Sequence, residues 1–212
     1  MSRRRGVVAL TCLLVALGGA SPASAADGAP STGVTLRVAS VSGTGCPAGT
    51  AAVAPSPDNT AFTVTYSAFT AQAGPGTSLL DRTRSCRITV LVGIPAGYTY
   101  AVSQVDQRGF ASLAKGATAT QTQTYFFTGL PTARVSHDLT GPLEDDWATT
   151  DKTPLTGLTY APCGLQRLMT INTTLRVSPT LLDLRNTSFI TLDSTDGSVS
   201  TRYQLNWKSC RG

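Results

Sequence analysis

Apolar and polar positions alternate in short runs along this chain, and the period is two. Val34 to Val38 alternates, and so does Phe62 to Tyr66. Arg87 to Ile94, Tyr98 to Asp106 and the aromatic run Tyr125 to Phe127 continue the pattern. Leu168 to Val177, Phe189 to Leu192 and Val199 to Trp207 complete it. β-branched and aromatic residues fill these runs, while Gly, Pro, Asn and Asp separate them. No window shows the apolar spacing of a long capped amphipathic helix. The pattern predicts an all-β fold, an antiparallel β-sandwich of about seven to ten strands.

The N-terminus departs from this pattern. Arg3, Arg4 and Arg5 precede an apolar stretch from Gly6 to Ala20, and Ala23-Ser24-Ala25 has small residues where a signal peptidase reads. Residues 1–25 therefore read as a signal peptide, with cleavage after Ala25. The stretch is short for a membrane span. The general secretory route fits it better than a twin-arginine route, because no bulky residue follows the arginine pair at the usual place. Residues 26–33 read as a poorly ordered lead-in and residues 34–212 as a single β-sandwich domain. The expected location is extracellular.

Removal of the signal changes the charge. The whole chain carries +5, which falls to about +2 once Arg3, Arg4 and Arg5 leave. No basic run of five or more remains, so neither nucleic acid nor an anionic membrane is an expected partner. Cys12 also leaves, and Cys46, Cys86, Cys163 and Cys210 remain as an even set in an oxidising compartment. Two disulfides are expected, with three connectivities open. The most local, Cys46–Cys86 with Cys163–Cys210, closes loops of about 40 and 47 residues, each contributing about 4 kcal/mol by chain entropy. Clustered Cys or His spacing of the zinc type is absent from the sequence.

Candidate chemistry is sparse. His137 is the single histidine, and Ser136 and Asp138 beside it in the chain are poorly placed for a triad; a solvent-facing loop is expected. Glu144, Asp145 and Asp146 read as an exposed acidic loop, with Trp147 after them as a candidate exposed platform for a sugar ring. Trp207, in a strand, reads as core. Asp106 and Arg108, two apart on one strand, share a face and make a candidate polar pair. Asp193 and Asp196, with Gly197, suit either a hairpin turn or a calcium site. No other cofactor is expected. Asn172 and Asn186 head Asn-x-Ser/Thr sequons.

In order along the chain stand Gly43-Thr-Gly-Cys-Pro-Ala-Gly49, Gly74-Pro75-Gly76, Arg84-Ser-Cys86 and Val105-Asp-Gln-Arg-Gly-Phe-Ala111. Ala161-Pro-Cys-Gly164, Thr170-Ile-Asn-Thr-Thr-Leu-Arg-Val177 and Tyr203-Gln-Leu-Asn-Trp207 follow, with Cys210. This set resembles the secreted proteins grouped as domain of unknown function 4360. Tyr160-Ala161 stands where that family is expected to read Trp-Ser. The resemblance implies a small exported protein of filamentous fungi or actinobacteria and implies no activity.

The residues contain no recognisable catalytic constellation. The expected function is a non-catalytic binding or structural module at the cell surface or in the medium, with polysaccharide or cell wall as candidate partner. A carboxylate-based hydrolase using Asp106, Asp193 or Glu144 is one alternative. A secreted inhibitor or partner binder, presenting the Pro/Gly loop Ala71 to Gly76, is another.

Overall fold

Period-two alternation gives each strand one apolar and one polar face, and two sheets of such strands bury their apolar faces against each other. The computed structural model describes residues 28–163, 165–180, 185–192 and 200–210. Within them lie β1 (Thr35–Ser42), β2 (Ala51–Pro55), β3 (Ala61–Tyr66), β4 (Thr70–Ala73), β5 (Thr83–Gly93) and β6 (Tyr98–Leu113). β7 (Thr118–Phe127), β8 (Ala133–Thr140), β9 (Leu143–Lys152), β10 (Leu168–Ser178), β11 (Ser188–Thr191) and β12 (Thr201–Ser209) follow. Helical structure among the described residues is limited to the 3-10 turns Leu79–Arg82 and Leu155–Gly157.

One sheet has five strands in the order β1-β5-β10-β7-β8. The other has seven and is organised by the 16-residue β6. β12 and β11 lie end to end along one edge of β6, and β9 pairs with the other. Beyond them, β3 and β2 extend the sheet from β12, and β4 extends it from β11. Gln204 pairs with Gln104 but Leu205 pairs with Val102, so Ser103 is an extra residue in β6. This bulge switches which parity faces inward: Tyr100 and Val102 are buried before it, Val105 and Gln107 after it.

The space between the sheets is filled by Ile88, Val90, Met169, Ile171 and Leu175 from one side and Phe62, Val64, Tyr100 and Tyr203 from the other. Phe62 stacks on Tyr203 with centroids 4.7 Å apart. Tyr100 meets Phe127 of the opposite sheet edge-on at 5.2 Å. Trp207 is core, as expected, and its Nε1–H donates to the Asn59 carbonyl at 2.9 Å. A polar network crosses this core. Gln123 Oε1 accepts from Thr173 at 2.7 Å and from Gln107 at 3.1 Å, and Gln123 Nε2–H donates to the Tyr203 hydroxyl at 2.8 Å. Burial pushes the Tyr203 hydroxyl well above its ordinary value, so it stays neutral.

Of the three connectivities, the local one is present: Cys46–Cys86 and Cys163–Cys210. The first is buried at both ends, while Cys163 is exposed.

Several expectations need correction. The lead-in is tied down within its described part: Pro30 is buried and its carbonyl accepts from Asn59 Nδ2 at 3.0 Å. The segment from Leu143 to Lys152 is strand β9 rather than an acidic loop, and Val135 to Asp138 lies within strand β8. β9 carries polar residues on both faces, so its periodicity gave no apolar signal, whereas β8 sets Ala133, Val135 and Leu139 on one face and only His137 interrupts that set. The first part of the loop Ala71 to Gly76 belongs to β4, where Ala71 and Ala73 are buried, so it offers little to a protease cleft.

Candidate functional site

The pairing of β6 with β9 brings together residues about forty positions apart. Asp106 stands opposite Thr150, Arg108 opposite Ala148, Phe110 opposite Asp146, and Ser112 opposite Glu144. Paired residues share a face, so these all lie on the outer face of the seven-stranded sheet. On the other edge of β6, β12 adds Arg202 opposite Asp106 and Gln204 opposite Gln104. β11 adds Phe189 opposite Ser112, and the rings of Phe189 and Phe110 are 5.9 Å apart. Arg108, Glu144, Asp146 and Arg202 are exposed, while Asp106, Phe110 and Phe189 are half-buried.

Asp106 organises the centre. Its carboxylate accepts both contacts from Gln104 Nε2 at 2.8 Å, one from Thr150 Oγ1 at 2.8 Å and one from Gln204 Nε2 at 3.0 Å. Partial burial raises its pKa, but these hydrogen bonds and the charge of Arg202 outweigh it and hold Asp106 below the usual carboxylate range. The cation acting on Asp106 is thus its cross-strand neighbour Arg202, not Arg108 two residues on. Arg108 is left to line a groove of about 250 Å³ with Asp106, Thr150 and Arg202. A carboxylate kept ionised and saturated with donors orients side chains well and serves poorly as a general acid.

The remaining candidates divide. Asp145 and Trp147 fall on the opposite parity of β9 from Glu144 and Asp146. Trp147 is buried, with 7 % exposure, so it is no open platform for a ring. Its place is made by Gly109 directly opposite: a Cβ there would meet the indole at 2.6 Å. His137 is half-buried rather than solvent-facing, and its Nε2 reaches both carboxylate oxygens of Asp151 on β9 at 2.9 and 3.0 Å. Ser136 and Asp138 point to the other face of β8 and bond Thr122 and Thr120. The three neighbours therefore never converge. Asp193 and Asp196, with the turn and the calcium site expected of them, lie outside the described residues, as do residues 1–25. Among the described residues no three acidic, His or Cys side chains gather as metal ligands would.

Phe110, Phe189, Arg202 and Gln204 belong to this surface but were not singled out in the sequence. Phe110 follows Arg108 at the strand period, and that signal was available. The contributions of β11 and β12 depend on pairings between distant segments.

The model of the family described as Domain of unknown function (DUF4360) matches residues 32–210. An uncharacterized secreted protein of Arthroderma benhamiae is 32% identical over 170 residues, covering 79% of this chain and 68% of the relative. The chain belongs to this family, and it is a secreted protein. Among solved structures, the carbohydrate-binding module TmCBM61 in complex with β-1,4-galactotriose matches at 12% identity, covering 82% of this chain and 88% of that one, with a TM-score of 0.31. The enzymatically active domain of bacteriophage CBA120 tailspike protein 4 matches at 12% identity over 85% and 20%, with a TM-score of 0.22. Scores that low carry no equivalence of sites. No helix among the described residues is long and apolar enough to cross a membrane.

Proposed function

We propose that this member of the DUF4360 family is a non-catalytic binding module of the extracellular space whose ligand is polysaccharide. The observation that carries the reading is the outer face of the seven-stranded sheet. Four residues singled out in the sequence, Asp106, Arg108, Glu144 and Asp146, stand there in adjacent registers beside the Phe110–Phe189 ring pair. A sugar presents adjacent hydroxyls on its rim and apolar C–H groups on its faces. Arginine and carboxylate side chains match the first with paired donors and acceptors, and aromatic rings match the second. The site is built on strands, and Asp106 locks Gln104, Gln204 and Thr150 in place, so little side-chain entropy is lost on binding. Retention on insoluble chitin, cellulose and peptidoglycan tests the reading, with a variant carrying Arg108→Ala and Phe110→Ala expected to lose it.

A further inference from the structure

The arginines of this chain are scattered in sequence, and the five-stranded sheet gathers Arg37, Arg87, Arg134 and Arg176 on one face. Arg87 on β5 pairs with Asn172 on β10, Asn172 with Thr124 on β7, and Thr124 with Arg134 on β8. These side chains stand in one row on the outer face, because the intervening Cys86, Ile88 and Ile171 point into the core. Arg176 follows Asn172 at even spacing on β10, and Arg37 on β1 pairs with Leu91, at even spacing from Arg87, so both share that face. All four arginines are exposed, and none has an ion-pair or hydrogen-bond partner among the described residues. Arg84, also on β5, is held by Asp81. Asp138 is the one acidic residue on these five strands, and it accepts a hydrogen bond from Thr120 at 2.7 Å. The outer face of the seven-stranded sheet is mixed in sign, with Asp106, Glu144 and Asp146 beside Arg108 and Arg202.

Uncharged groups lie between the arginines. The side chains of Asn172 and Thr174 have no hydrogen-bond partner among the described residues. Thr122, opposite Thr174, shares one hydrogen bond with Ser136 at 2.9 Å, which leaves one hydroxyl proton of the pair to spare. Phe126 is half-buried on the same face, two residues from Thr124, and is therefore a diagonal neighbour of Arg134.

We propose that the outer face of the five-stranded sheet binds an anionic polysaccharide, a polyuronate. Charge complementarity selects an anion. Arg87 and Arg134 lie three strand spacings apart, roughly 14 Å. Side chains standing upright at that distance meet separate carboxylates, so the ligand carries charge at intervals, as a polymer of acidic sugars does. Each guanidinium can hold its carboxylate through two parallel hydrogen bonds. The sugar hydroxyls between them meet Asn172, Thr174 and the Thr122–Ser136 pair, and a ring beside Arg134 lays its C–H groups on Phe126. A carboxylate polymer without sugar rings would use the arginines and leave those groups idle. This goes beyond the polysaccharide reading, since it lies on the other side of the sandwich and does not rest on it.

The test is calorimetric titration of the purified oxidised protein at low salt with polygalacturonate, fully methyl-esterified polygalacturonate and polyacrylate. The Arg87→Ala, Arg134→Ala double variant is compared with a Lys115→Ala, Lys152→Ala double variant, which removes the same charge from exposed positions off this face. Circular dichroism checks that both are folded. Saturable binding of polygalacturonate is the expected result, about tenfold weaker for the esterified polymer, for polyacrylate and in the arginine variant. It is kept in the lysine variant and weakens with added salt. No binding, equal affinity for the esterified polymer, or equal loss in the two variants overturns the proposal. Equal affinity for polyacrylate reduces the face to a plain anion surface and overturns the sugar assignment. Chitin and cellulose are uncharged, so polygalacturonate binding without retention on either removes the reading of the seven-stranded face alone. The reverse result removes this proposal alone.

Discussion

His137 on β8 and Asp151 on β9 join the two sheets across their open edge, with Nε2 2.9 and 3.0 Å from the two carboxylate oxygens. β8 and β9 are consecutive in the chain yet belong to different sheets, and this contact holds their edges together beyond the connecting turn. The pair is partly exposed, so solvent screens it. A double-mutant cycle with His137→Ala and Asp151→Ala, read by urea unfolding, is expected to give a coupling of about 0.5–1 kcal/mol. A coupling of zero would mean that the edges are held by the turn alone.

Trp147 and Gly109 make a packing pair. Gly109→Ala places a methyl 2.1 Å from the Thr191 carbonyl oxygen and 2.6 Å from the indole. It is expected to destabilise by about 3 kcal/mol. Trp147→Ala removes a buried ring and is expected to cost about 3–5 kcal/mol. Wild-type Trp fluorescence should be blue-shifted and resist acrylamide, since Trp207 is buried as well. A strongly quenched, red-shifted signal would restore Trp147 to the surface.

The two disulfides differ in access. Cys46 and Cys86 are each 1% exposed, whereas Cys163 is open to solvent. Attack by a thiolate requires a reachable sulfur. Mild dithiothreitol under native conditions, followed by alkylation and mass spectrometry, should label Cys163 and Cys210 well before Cys46 and Cys86. Simultaneous labelling would show that reduction proceeds through global unfolding.

Asp106 makes stability depend on pH in a defined direction. Its folded pKa lies below that of the unfolded chain, so the carboxylate contributes stability that is fully present above the unfolded value of about 4. That contribution is lost as pH falls through the folded value. Asp106→Asn also sets an amide donor against those of Gln104 and Gln204. After discounting for exposure, it is expected to lose about 1 kcal/mol at pH 7, with the gap to wild type closing towards pH 2. Urea unfolding at both pH values measures this, and a gap that persists at pH 2 contradicts it.

Much of the architecture was legible where burial is one-sided. The strand from Leu168 to Ser178 alternates Met169, Ile171 and Leu175 with Thr170, Asn172 and Thr174, and its inward set is apolar except for Thr173. The first part of β7 and β9 escaped that rule for a physical reason. Gln121 and Gln123 occupy inward positions of β7, and Trp147 is the one buried residue of β9. Residue type alone marks Asp106, Arg108, Glu144, Asp145, Asp146 and Trp147 as candidates on β6 and β9. Which of them share a face was decided by pairing Asp106 with Thr150 and Phe110 with Asp146, a register that local periodicity does not contain. The same parity that joins Glu144 and Asp146 to Arg108 sends Asp145 and Trp147 the other way.

The most direct measurement is a binding isotherm of the mature oxidised protein on insoluble chitin, cellulose and peptidoglycan, run beside the Arg108→Ala, Phe110→Ala double variant. Circular dichroism confirms that the variant is folded. Saturable retention of the wild type on at least one of these polymers, reduced about tenfold or more in the variant, is the predicted result. Retention on none of them, or retention untouched by the two substitutions, would contradict a polysaccharide site on the outer face of the seven-stranded sheet.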